Sequence, residues 1–189
     1  QGKQREEAFR KINPMMAIPA LIEDDGNVLF ESLAILEYLD ETHPNPPLLP
    51  KGATARARVR ALAQIVACDT HPLIVPRVRE YLAHEYKIDE AAVQKWGYHW
   101  HEAALKALEA NLSGSKETGR YCHGDQITIA DYFGSGLVTL GEVIRCDFSG
   151  YPNIQRWLNN VKKLKSWPKV NEVFYGLVES VKGQKFNAI

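Results

Sequence analysis

The chain has 189 residues, 45% of them hydrophobic and 24% charged, a profile that suits one soluble globular domain or two small ones. Its 23 basic and 23 acidic side chains cancel to a formal net charge of zero, which excludes a broad nucleic-acid footprint or a surface built for anionic membranes. No apolar run approaches the roughly 18 residues a membrane-spanning helix needs, and the polar start "QGKQREEAFRKINP" is not a signal peptide.

The first predicted elements are two short strands. Ala20-Leu21-Ile22 and Val28-Leu29-Phe30 flank "EDDGN", whose Asp25-Gly26 pair signals a hairpin. From Ser32 the pattern turns helical. The dense apolar series Leu33, Ile35, Leu36, Tyr38 and Leu39 predicts a helix buried on more than one side that ends before Pro44. "HPNPPLLPKG", with four prolines in ten residues, reads as a linker. The expected boundaries are 1–43 for a first unit, 44–52 for the linker and 53–189 for a second unit.

Everything beyond the linker reads as helix. Val59, Leu62, Ala63 and Val66 share one face of a helix beginning near Thr54, and Pro72 and Pro76 interrupt or kink the segment after it. Val93, Trp96, Trp100, Ala103, Ala107 and Leu108 mark another helix, punctuated by Gly97. Ile154, Trp157, Leu158, Val161 and Leu164 mark a third, and the series from Val170 to Val181 a last one before the loose tail "KGQKFNAI". Pro152 and Pro168 suit first helical positions. In "QITIADYF", Thr128 and Asp131 have the spacing of a capping box, with Ile127 and Tyr132 at the staple positions, so both polar groups are assigned to folding.

Two places carry candidate chemistry. Proline after an apolar residue in a loop is the usual setting of a cis peptide bond. A cis Ile18–Pro19 bond would turn the chain sharply before the first strand and leave the Ile18 N–H and C=O free for an extended, peptide-like ligand; a trans bond would be plain loop. Ser32, preceded by Glu31, opens a helix whose first N–H groups lack internal partners. It is either a carboxylate site or an N-cap. The two places flank the hairpin from its opposite ends in the sequence, so they can converge on one ligand.

Other polar groups read more plainly. His99 and His101 flank Trp100 and cannot share a helix face, so "HWH" is expected to be a solvated edge and not a metal pair. Cys68, Cys122 and Cys146 match no metal spacing and leave at least one thiol unpaired, which suits a reducing, cytoplasmic setting. Cys68 and Cys122 are expected to be small buried side chains, and the four tryptophans to occupy helical core positions.

"INPMMAIPALIEDDGNVLFESLAILEYL" resembles the second half of the thioredoxin-like domain of cytosolic glutathione transferases. N-P-x-x-x-I-P, the Asp-Gly hairpin and E-S-x-A-I-x-x-Y-L all match, and "GDQITIADYF" is similar to a segment of that family's all-α second domain. The resemblance implies an α+β architecture, a partial thioredoxin-like unit followed by an all-α domain. It implies glutathione as co-substrate, no metal, a homodimer, and a small electrophilic substrate in an apolar cleft between the units. Ile18 would pair through its backbone with the cysteinyl group and Pro19 would be cis. Ser32 would hold the γ-glutamyl carboxylate, and Glu31 would be directed at the amino group. Asp69 would reach the glutathione of a neighbouring subunit or serve the interface. His71 would line the second-substrate pocket or cap a kinked turn.

The chain departs from the family in three ways. The leading strand–helix–strand that carries the thiol-activating residue is not in the sequence, so a longer polypeptide is expected and no catalytic residue is assigned. Ala17 stands where many members carry Lys, Gln or Arg for the glycyl carboxylate. "ACDTHPLIVPRVREYL" is similar to bacterial zeta-like transferases, which isomerise maleyl compounds, yet Ile74-Val75 replaces two asparagines and Val143 replaces an arginine. Arg145, two positions on, would face another way in a helix. The expected reaction is therefore nucleophilic attack by glutathione thiolate on a small electrophile; zeta-type isomerisation, or a non-catalytic interaction role, is the alternative.

Overall fold

Residues 3–169 and Glu172 are described by the computed structural model, and the chain divides into two compact units, Gln1–Pro50 and Lys51–Ile189. The helical series expected from Val170 to Val181 and the tail after it lie outside the described residues, Glu172 excepted.

The first unit is built around one hairpin. A short helix α1 (Glu7–Arg10) precedes β1 (Ala20–Ile22), which pairs antiparallel with β2 (Val28–Phe30) in the register Ala20–Phe30, Leu21–Leu29, Ile22–Val28. The turn closes where Asp25-Gly26 predicts it. Gly26 takes φ 89°, a region that costs glycine nothing, and the Asp25 carboxylate accepts the Asn27 N–H at 2.9 Å. Helix α2 (Ser32–Thr42) follows directly. Its Tyr38 hydroxyl donates to the Glu23 carboxylate at the end of β1. That bond raises the Tyr38 phenol above its ordinary pKa, because the acceptor carboxylate favours the protonated donor. Asp40 is 7% exposed and accepts the Leu48 and Leu49 N–H groups, so the chain beyond the prolines is tied back to α2. One face of the hairpin stays open: Ile22 is 53% and Phe30 46% exposed.

The second unit is helical. Among the described residues it comprises α3 (Ala53–Ala67), α4 (His71–Ile74), α5 (Pro76–Glu85), α6 (Glu90–Ser113), α7 (Ile129–Val143) and α8 (Pro152–Val161). The expected face of α3 is the buried one, Val59, Leu62, Ala63 and Val66. Helix α6 instead buries Val93, His101, Ala104, Leu105, Leu108 and Leu112, so that of its expected face only Val93 and Leu108 are enclosed and Ala103 is exposed. Pro152 takes the first position of α8, and α6 is capped by Asp89, which accepts the Ala92 N–H at 2.8 Å. The heart of the unit is Asp131 on α7. One oxygen accepts the Thr128 N–H and hydroxyl, each at 2.8 Å; the other accepts the Cys122 N–H at 2.8 Å and the Trp157 indole N–H of α8 at 2.6 Å. Tyr132 is 60% exposed, so the cap rests on the carboxylate more than on an apolar staple.

Three further expectations fail here. His101 is not on a solvated edge: α7 passes so close that a Cβ on Gly141 would sit 2.7 Å from His101 Nε2, and the imidazole is 0% exposed. Neither ring nitrogen has a hydrogen-bond partner among the described residues, and burial pushes the imidazole pKa down to about 4. Cys122 is buried as expected, its thiol driven well up by desolvation, but Cys68 lies exposed just past the end of α3. Of the tryptophans, Trp157 is fully enclosed, whereas Trp96 and Trp100 are half-buried, and the Trp96 indole donates to the Leu73 carbonyl at 2.8 Å.

Two outcomes are expected. Asp131→Ala strands four donors around a buried site and should cost about 3–5 kcal/mol in a urea melt. A loss below about 1 kcal/mol would show that those donors are satisfied elsewhere. His101 is protonated more readily in the unfolded chain than in the folded one, so stability should fall as the pH drops from 6.5 towards 4, by about 3 kcal/mol in total. Melts of the unsubstituted protein and His101→Leu across this range test the assignment, because the variant should lose that part of the slope.

Candidate functional site

Hairpin register decides where the candidate residues go. Ala20 pairs with Phe30, so Ile18-Pro19 and Glu31-Ser32 both leave the hairpin at its open end, each two residues or fewer from a paired position. Opposite ends of the hairpin in the sequence are one end in space. The Ile18–Pro19 bond is cis, and Ile18 is 70% exposed. Neither its N–H nor its C=O has a hydrogen-bond partner among the described residues. A backbone donor and acceptor, side by side and unspent, are what an extended peptide-like ligand needs for strand-like pairing.

On the other arm, Glu31 takes φ 70° and occupies the N-cap position of α2, and its side chain makes no capping bond. Ser32 is the first helical residue, and Ile35 is the first to close the ladder, on the Glu31 carbonyl at 3.0 Å. The N–H groups of Ser32, Leu33 and Ala34 therefore have no backbone partner among the described residues. No acidic side chain sits in this first turn. Oriented donors and the positive end of the helix dipole favour an anion there, by about 0.3–1 kcal/mol for the dipole alone. The Ser32 hydroxyl is within the same turn. Glu31 at its edge brings a negative charge for a cationic group on the same ligand.

Asp69 and His71 do not share one helix. Helix α3 stops at Ala67, and Asp69 lies exposed in the turn, its N–H bonded to the Gln64 carbonyl at 3.2 Å. The turn is fixed by Thr70, 1% exposed, whose hydroxyl donates to the Ile65 carbonyl at 2.9 Å. His71 opens the separate single turn α4, ahead of Pro72. Desolvation of its ring, and then the Arg77 charge, hold its imidazole below the ordinary histidine range.

Arg145 is also not where helical geometry would put it. Helix α7 ends at Val143, and Arg145 adopts φ 60°. Its N–H bonds to the Glu142 carbonyl at 3.2 Å, and the Cys146 N–H to the Gly141 carbonyl at 2.8 Å. This is a Schellman-type stop with arginine at the left-handed position usually given to glycine. An argument about helix faces therefore does not apply to Arg145.

A groove of about 560 Å³ on the second unit is lined by Glu102, Lys106, Glu109, Asp147 and Tyr151. Its polar groups are already engaged. Lys106 pairs with Glu102 at 2.9 Å, Glu109 accepts the Asn153 and Ile154 N–H groups that begin α8, and Asp147 accepts from Ser149. None of the candidate residues lines it. Among the described residues no group of three or more metal-capable side chains is brought together, and no helix is long and apolar enough to cross a membrane.

Comparison with known proteins adds a second line. Residues 1–47 match the family model "Glutathione S-transferase, N-terminal domain", and residues 99–165 match "Glutathione S-transferase, C-terminal domain". A maleylpyruvate isomerase of a Ralstonia species is 41% identical over 156 residues, which span 82% of this chain and 73% of that protein. A maleylacetoacetate isomerase of Dictyostelium discoideum is 39% identical, over 82% of this chain and 69% of its own length. Among solved structures, the maleylacetoacetate isomerase of Methylobacterium extorquens AM1, with malonate and glutathione bound, superposes with a TM-score of 0.86 at 42% identity, covering 89% of this chain and 78% of that one. A maleylpyruvate isomerase described as a bacterial zeta-class glutathione S-transferase gives 0.83 at 38% identity, covering 88% and 78%.

His71 supplies the test of the electrostatics. Its imidazole should titrate below 6.5 by NMR and be neutral at pH 7. Arg77→Gln should raise the midpoint without restoring the free value, because desolvation is the larger cause. Full recovery to 6.5 in that variant would mean the charge dominates instead.

Proposed function

Because this chain belongs to the glutathione S-transferase family, we propose that it is a glutathione-dependent isomerase of the zeta type, turning the cis double bond of a small maleyl dicarboxylate to trans. The observation that carries glutathione use is the open end of the hairpin, where the unspent Ile18 backbone and the uncapped first turn of α2 emerge together. Glutathione is a peptide with a free α-amino acid at one end, and the two arms fit its two requirements. Ile18 N–H and C=O would pair with the cysteinyl backbone. The Ser32 hydroxyl and first-turn N–H groups would hold the γ-glutamyl carboxylate, with Glu31 facing the amino group.

Glutathione supplies the thiol whose reversible addition lets a conjugated double bond rotate. The work of these residues is orientation: a ligand clamped at both its carboxylate and its backbone presents its thiol in one place, which removes entropy from the reaction step. No described residue is assigned to thiolate activation. Ala17 contributes no side-chain donor for the glycyl carboxylate, so binding leans more heavily on the γ-glutamyl end. Asp69 is the candidate for a contact across a homodimer, and His71, held neutral, for the substrate side.

The choice of isomerisation over other glutathione chemistry follows the relatives, of which several are maleylpyruvate or maleylacetoacetate isomerases. A second reading, conjugation of glutathione to other small electrophiles, is favoured by one observation. Val143 offers no charge for a substrate carboxylate, and Arg145 leaves the helix at a left-handed turn.

The full-length protein should convert maleylacetoacetate or maleylpyruvate only when glutathione is present, followed by ultraviolet absorbance. Ser32→Ala should raise the KM for glutathione about tenfold with little change in kcat, as expected for loss of one charge-assisted hydrogen bond. Turnover of an aryl halide without isomerase activity would favour the second reading. Absence of glutathione binding by calorimetry would leave a non-catalytic interaction role.

A further inference from the structure

The loop that delivers Ile18 is wound around one buried side chain. Asn13 is 2% exposed, one of two buried polar residues among the described residues of the first unit. Its Nδ2 donates to the Ala17 carbonyl at 2.8 Å, and its Oδ1 accepts the Met15 N–H at 3.1 Å. The amide orientation is forced by these partners, since a carbonyl needs a donor and an N–H an acceptor. The Asn13 backbone carbonyl also takes the Met16 N–H at 2.8 Å. Met16 itself sits at φ 52°, a left-handed conformation that a side chain of its size adopts only when neighbours impose it.

The contact with Ala17 matters because of peptide geometry. The Ala17 C=O and the Ile18 N–H belong to one planar group, and that bond is trans, so the two point in opposite directions. A donor that holds the carbonyl inward aims the N–H outward. The same hydrogen bond polarises the peptide and strengthens the N–H as a donor. Asn13 is itself buried, so its reach to the surface runs through the Ala17 peptide.

We propose that Asn13 is a positioning residue for glutathione: by fixing the Ala17 carbonyl it orients the Ile18 N–H that pairs with the cysteinyl group. The proposal rests on the glutathione reading of the hairpin's open end and deepens it. It also gives the buried asparagine a role beyond loop closure. Closure alone needs the Met15 and Met16 contacts, whereas the bond to Ala17 acts on the peptide next to the ligand.

The decisive variant is Asn13→Asp, which at neutral pH keeps the shape and the acceptor for Met15 but removes the donor to Ala17. In the full-length protein, calorimetry should show glutathione bound about tenfold more weakly, with the KM for glutathione raised, kcat at saturation unchanged and the thermal midpoint showing a folded protein. A folded variant that binds as tightly as the unsubstituted protein overturns the proposal. If the variant does not fold, the unsubstituted protein answers by NMR. A scalar coupling across the hydrogen bond from Asn13 Nδ2 to the Ala17 carbonyl carbon should be present without ligand. The Asn13 side-chain amide and Ile18 N–H resonances should then shift together on adding glutathione. An absent coupling, or an Ile18 shift with Asn13 unmoved, overturns the positioning role and leaves the glutathione reading intact. A coupling present in a protein that binds no glutathione overturns the functional reading itself, and the proposal with it.

Discussion

A carboxylate taken out of water must have its lone pairs met by donors, and Asp131 shows how much structure that demand can organise. Four donors reach it: two from Thr128 just ahead of α7, one from the Cys122 backbone in the preceding loop, and one from the Trp157 indole on α8. Each donor comes with the segment that carries it. The start of α7, the approach to it and the burial of the largest enclosed side chain in the second unit are therefore one arrangement. The same loop is gripped from the other side by Arg58 of α3, which donates to the Cys122 carbonyl at 2.8 Å and the Thr118 hydroxyl at 2.9 Å. The loop between α6 and α7 is thus tied to the core at Tyr121, Cys122 and Thr128, which are buried, while most of its other residues are not.

The first unit uses smaller versions of the same device. Asp40 collects two N–H groups beyond the proline-rich stretch, Glu23 receives the Tyr38 hydroxyl, and Asn13 closes the loop before Ile18. Side chains do this work because three-residue strands supply few backbone bonds of their own. Two short paired strands are marginal alone. Their contribution is a fixed register, and register brings the two candidate arms to one end.

Much of this is legible in the amino-acid sequence. The Asp-Gly turn, the apolar faces of α3 and α8 and the capping box at Thr128 are local patterns, and local patterns survive folding. Pro19 and Ser32 stand out because proline geometry and helix ends are local too. Features that depend on an element arriving from elsewhere are not legible. His101 looks like a surface residue until α7 lays Gly141 against it. Arg145 looks helical because arginine carries no left-handed signal, and the stop is made by the carbonyls behind it. Asn13 looks like one letter of a motif, since nothing in the sequence says that its amide reaches four residues on to Ala17. Isomerisation, the reaction by which several relatives are named, enters the sequence reading only as an alternative. Distinguishing isomerisation from conjugation depends on a substrate pocket, which few of the motif residues describe.

The bare face of α7 has a consequence for how the chain comes to be folded. Gly134 and Gly141 are two helical turns apart on one side. A Cβ at the first would meet the Trp157 ring at 3.0 Å, and one at the second the His101 ring at 2.7 Å. Glycine inside a helix gives up about 1 kcal/mol of propensity at each position. Helix α7 therefore draws its order from its neighbours and not from itself. One of those neighbours, α8, lies later in the chain than α7. In synthesis α7 is made before the ring that its Gly134 fits. The order of α7 and the placement of α8 are thus shared, since the bare surface of one is filled by the ring of the other.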